Sequence, residues 1–62
     1  MVYTSTWKDL RTDRVFKVDT FEGLDDALED VSVFWRGAFA VQITVTAEDG
    51  EVFAQRQFAA PL

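Results

Sequence analysis

The chain is 62 residues long, with 48% hydrophobic and 15% aromatic residues, no cysteine, no histidine and a formal net charge of −5. Its length allows one domain spanning residues 1–62, and its apolar content excludes a disordered chain. The missing residue types exclude disulfide staples, thiol nucleophiles, Cys/His zinc sites and imidazole acid–base chemistry, and the acidic balance argues against direct nucleic-acid binding.

A domain of this size buries only about 60% of the surface its unfolded chain exposes. Without disulfides or metal ligands, a second copy or a bound partner is the remaining route to extra stability. The start Met1-Val2-Tyr3-Thr4-Ser5 has neither a charged n-region nor an apolar h-region, so no signal peptide is expected. No apolar run approaches the ~20 residues of a membrane span. With no cysteine, a cytoplasmic location is the expectation.

Residues 2–9 and 14–21 are rich in β-branched and aromatic types and alternate, which predicts two strands joined by a hairpin loop at 10–13. Pairing Asp9 with Arg14 sets Trp7 opposite Phe16 and Ser5 opposite Val18, which puts Phe16 and Val18 on the core side. Lys8, Arg11, Arg14 and Lys17 cluster on this hairpin, but Asp9, Asp13 and Asp19 interleave with them. Local neutralisation makes a phosphate-tracking ribbon a poor reading.

Over residues 24–35 the period changes. Leu24, Ala27, Leu28, Val31, Phe34 and Trp35 form one stripe of a helix. Asp25 and Asp26 in the first turn and Arg36 in the last complement the helix dipole, and Gly37 suits the position after the C-cap. Residues 38–47 alternate again, with Phe39, Val41, Ile43, Val45 and Ala47 on one side. Asp49-Gly50 predicts a type I′ turn with Glu48 paired to Glu51, which sets Val45 opposite Ala54, Ile43 opposite Arg56 and Val41 opposite Phe58. Strand four then turns Val52, Ala54 and Phe58 inward. A bulge that brought Phe53, Gln55 and Gln57 inward would be worse.

These elements predict an α+β fold of order ββαββ. Its four-stranded antiparallel sheet has strand order 2-1-3-4, with the helix packed on one face. The other face presents Thr4, Thr6, Lys8, Gln42, Thr44, Thr46, Gln55 and Gln57, with Val2, Val15, Ala40, Phe53 and Ala59 among them, so it is polar but mostly uncharged. Phe53 on that face is a candidate aromatic anchor for an interface. Arg56, on the core side, is expected to snorkel at the sheet edge, to pair with Glu29 or to anchor an interface.

Most of the negative charge lies after residue 21. Glu22, Asp25, Asp26, Glu29 and Asp30 fall within nine positions, opposite the apolar stripe, and Glu48 and Asp49 lie in the second turn. Asp25/Glu29 and Asp26/Asp30 are like-charge i,i+4 pairs, which cost a few tenths of a kcal/mol each. Either they form a solvated helix face or they present a patch to a basic protein surface. Their spacing does not match a calcium loop, and no cofactor or metal is expected. Paired-carboxylate catalysis needs a cleft that this architecture offers little room for, so a non-enzymatic binding protein is the expectation.

The helix start Leu24-Asp25-Asp26-Ala27-Leu28-Glu29, after a leading hairpin, resembles small phage-encoded inhibitors of bacterial RNA polymerase. That resemblance implies an acidic inhibitor or modulator of a nucleic-acid-handling protein. The second hairpin, 38–60, departs from the pattern of those inhibitors, and no residue role is carried over. The other expectation is a homodimeric assembly module that uses the open sheet face or the edge of strand four.

Overall fold

A computed structural model describes residues 1–32, 35 and 39–59. In chain order the elements are β1 (Tyr3–Asp9), β2 (Arg14–Phe21), α1 (Leu24–Val31), β3 (Val41–Ala47) and β4 (Val52–Phe58). The strands form one antiparallel sheet of order β2-β1-β3-β4, and the α+β, ββαββ arrangement is the expected one. The strand bounds of β2 agree with the sequence reading, whereas β3 begins at Val41 rather than at 38. Ala38 lies outside the described residues.

The central pair sets the core. β1 and β3 run in unbroken register from Tyr3↔Ala47 to Asp9↔Val41. Period-2 alternation places Ser5 and Trp7 beside Val45 and Ile43 on the face that α1 covers. Val41, Ile43 and Val45 are fully buried there with Ala27 of the helix, and Trp7 and Val31 complete the cluster.

The outer strands each carry a one-residue irregularity that the sequence reading did not place. On β2, Asp9↔Arg14 and Lys8↔Val15 pair as expected, but Trp7 faces Lys17, which leaves Phe16 as the extra residue of a bulge. Ser5 therefore faces Asp19 rather than Val18. Val18 pairs with Thr6 and lies on the open face, 56% exposed, a correction to its expected place in the core. Phe16 still reaches the covered face, where its ring meets those of Trp7, Trp35 and Phe39. The physical reason is that the extra residue keeps Phe16 beside Trp7 while shifting the rest of the strand by one, so that Phe21 pairs with Tyr3 and also packs against the core.

β4 repeats the device. Val45↔Ala54, Ile43↔Arg56 and Val41↔Phe58 pair as expected. Nearer the turn, Thr46 faces Val52, so Phe53 is the extra residue. It does not lie on the open face as an interface anchor. Its ring packs edge-on against Tyr3 at 5.6 Å, across Ala47, whose small side chain leaves the space. Val52 takes the open face instead of turning inward. The turn also differs from type I′. Gly50 N–H donates to Ala47 O, Ala47 N–H donates to Glu51 O, and Gly50 alone has positive φ (+88°) in this turn. That is a three-residue loop closed by a glycine in the left-handed region, so Glu51 pairs with Ala47 rather than Glu48.

The helix is shorter than its stripe suggested. It ends at Val31, where Ser32 caps it: the Ser32 N–H reaches Leu28 O and Glu29 O, and its Oγ donates to Glu29 O at 2.8 Å. A serine that bonds locally to the backbone competes with continuation of the helix. Trp35 lies beyond the helix and donates its indole N–H to Phe39 O at 2.8 Å. Val33, Phe34, Arg36 and Gly37, including the expected last-turn and C-cap residues, lie outside the described residues.

Candidate functional site: the acidic end of the sheet

The topology gathers acids that are far apart in sequence. Phe21, Tyr3 and Ala47 form the last row of the sheet at one end. Glu22 leaves that row from β2 and Glu48 leaves it from β3, with their backbones about 10 Å apart, two strand spacings. The first helical turn, with Asp25 and Asp26, and the turn with Asp49 and Glu51 belong to the same end. Lys8, Arg11 and Arg14 lie at the other end, beside Asp9 and the 10–13 loop. There Lys8 pairs with Asp13 at 3.0 Å and Arg11 with Asp9 at 3.3 Å, which neutralises much of that charge.

The seven candidate acids do not behave alike. Asp30 faces the sheet, not solvent as expected. Its Oδ2 accepts from Ser5 Oγ at 2.6 Å and from Trp7 Nε1 at 3.0 Å. Two donors on the face of β1, one of them on a fully buried serine, need an acceptor from the helix. The helix is rotated to supply it, and Leu28 is 37% exposed as a result. Glu48 accepts from the backbone N–H of Val2, and Asp49 Oδ1 accepts from Glu51 N–H at 2.9 Å within the turn. These three are therefore occupied by bonds within the chain.

Glu22, Asp25, Asp26 and Glu29 are exposed and make no ion pair among the described residues. Asp26 and Glu29, with Phe21 and the edge of Asp30, line an open groove of about 390 Å³. Its chemistry is a partly buried ring flanked by carboxylates, which suits the stem and charge of an arginine or lysine side chain. Among the described residues no group of three or more acids is arranged to hold a metal ion.

Arg56 lies on the covered side of β4 at the sheet edge. It is exposed, with its guanidinium over the Phe58 ring at 4.7 Å, and the alternative ion pair with Glu29 is not formed. Asp9 was missed as a structural residue. It is 8% exposed and accepts from the Arg11 N–H at 2.9 Å, closing the first hairpin loop. The signal was an Asp at the last strand position before a four-residue loop.

Comparison with protein-family models, with curated proteins and with solved structures yields no match to this chain. Among the described residues no helix is long and apolar enough to cross a membrane.

Proposed function

We propose that this is a non-enzymatic, cytoplasmic protein-interaction module that docks its acidic end on a basic protein surface. The reading extends to an inhibitor or modulator, encoded by a phage or mobile element, of a nucleic-acid-handling host protein. One observation carries it: Glu22, Asp25, Asp26 and Glu29 stand exposed without a basic partner among the described residues, beside the Phe21 groove. A chain selected for stability alone would gain from a lysine among them. Complementary potential would steer a basic partner to this end and fix its orientation.

The test is affinity capture from a host lysate with the intact chain and with Asp26→Lys/Glu29→Lys. Asp30 is left alone because it holds the helix to the sheet. A partner captured by the parent chain and lost by the double variant supports the reading. An unchanged set of captured proteins rejects it.

A second reading, a homodimeric assembly module, draws on the open sheet face. There Val18 and Val52, each 56% exposed, lie among threonines and glutamines with Lys8 as the only charge on the three inner rows.

A further inference from the structure

Among the described residues both outer strands leave one edge unpaired, β2 on one side of the sheet and β4 on the other. The β2 edge has a property the β4 edge lacks. Arg14-Val15-Phe16-Lys17-Val18-Asp19-Thr20-Phe21-Glu22 is antisymmetric in charge about Val18: Lys17 and Asp19 flank it at one step, and Arg14 and Glu22 at four. We propose that β2 pairs antiparallel with β2 of a second copy about a two-fold axis at Val18, joining two sheets into one of eight strands.

The register follows from ladder geometry. In an antiparallel pair, opposed residues are both hydrogen-bonded or both not, so a symmetric junction places its axis at a residue. An axis at Lys17 sets that lysine against its own copy, and an axis at Asp19 does the same for the aspartate. Like charges directly opposed are destabilising. An axis at Val18 instead opposes Lys17 to Asp19 twice; beyond them the Phe16 bulge takes Arg14 out of step with Glu22, so the junction rests on the two Lys17/Asp19 pairs. No neighbouring axis gives this pairing.

The structure already holds the central charges in place. Lys17 and Asp19 share the covered face, with Nζ and Oδ2 3.4 Å apart, and remain 46% and 44% exposed. The two-fold brings two such pairs together as four alternating charges, while Val18 on the other face meets its mate. Antiparallel pairing keeps both helices on one side of the joined sheet. The bulge at Phe16 lies outside the central three residues, so the ladder is anchored at Lys17, Val18 and Asp19. β4 (Val52–Phe58) carries Arg56 as its sole charge, so it offers no acid to the basic residues of β2 and no ion pair to itself.

Neither Lys17 nor Asp19 belongs to the acidic end, so this inference stands or falls apart from the proposed function. The experiment is sedimentation equilibrium of the intact chain over a concentration series up to millimolar, with far-UV circular dichroism to verify that each variant is folded. The parent chain is expected to dimerise. Lys17→Asp and Asp19→Lys are each expected to weaken self-association about tenfold or more. An equimolar mixture of the two variants, and the exchange Lys17→Asp/Asp19→Lys, are expected to restore it. Lys17 also lies over the Trp7 ring at 4.5 Å, so Asp19→Lys serves if Lys17→Asp fails to fold. A parent chain that stays monomeric at millimolar concentration overturns the proposal. So does a dimer unmoved by both reversals, or one broken by Arg56→Glu instead.

Discussion

Trp7 of β1 donates its indole N–H to Asp30 of α1 at 3.0 Å, and this bond fixes the rotation of the helix on the sheet. Ser5 donates to the same oxygen. An eight-residue helix is too short to hold itself, so it depends on such anchors and on Ala27 and Val31. Asp30→Ala strands both donors and is expected to cost about 2 kcal/mol, with Ser5→Ala costing about 1 kcal/mol. Urea unfolding of the two single variants and the double variant measures their coupling. Purely additive losses would show that the bond contributes nothing of its own.

The two glycines that flank turns are expected to respond oppositely. Gly50 sits at φ +88°, and a Cβ added there would have nothing within 4 Å, so the cost of Gly50→Ala is backbone strain alone. A loss of about 1–2 kcal/mol is expected, with Gly50→Asn losing less. Gly23 is the N-cap of α1 at φ −113°, with no side-chain cap, and an added Cβ would meet Asp26 at an ordinary 3.5 Å. Gly23→Ser is expected to stabilise by about 0.5–1 kcal/mol through capping and a less flexible unfolded chain. Thermal melts read both signs, and a destabilised Gly23→Ser would contradict the cap geometry.

The bulge at Phe53 predicts a specific pair. Tyr3 and Phe53 meet edge-to-face at 5.6 Å although β1 and β4 are not neighbours. A double-mutant cycle with Tyr3→Leu and Phe53→Leu is expected to give a coupling of about 0.5–1.5 kcal/mol. A register without the bulge would turn Phe53 to the open face, and the coupling would vanish.

The acidic helix face separates stability from binding. Asp25 and Glu29 are exposed like charges one turn apart. Glu29→Lys is expected to raise stability by a few tenths of a kcal/mol while weakening attachment to a basic partner. A variant that binds less well only because it is less stable would show a lowered melting temperature.

The legible part of the fold was the part set by local pattern. Counting across the Asp49-Gly50 turn placed Val45, Ile43 and Val41 opposite Ala54, Arg56 and Phe58, a register that holds because the one-residue-longer loop and the Phe53 bulge cancel, and Asp9 opposite Arg14 followed from the loop length. The bulges were not legible, because Phe16 and Phe21 lie in opposite phases of β2 and Phe53 and Ala54 in opposite phases of β4, so either phase of each strand offers an apolar residue. The acidic site was legible as composition and only partly as geometry. Asp30 sits one position from the apolar stripe, and helical spacing alone assigns it to solvent.

Length, composition and periodicity by themselves determined the ββαββ order, the antiparallel sheet 2-1-3-4 and the absence of thiol and imidazole chemistry, because these depend on residue types and on periods of two and 3.6. The tertiary structure decided which acids are free. Buried donors on Ser5 and Trp7 claim Asp30, the second turn claims Asp49, and Val2, just before β1, claims Glu48. It also brought Glu22 and the second turn to one end of the sheet, since only strand pairing makes neighbours of residues so distant in the chain.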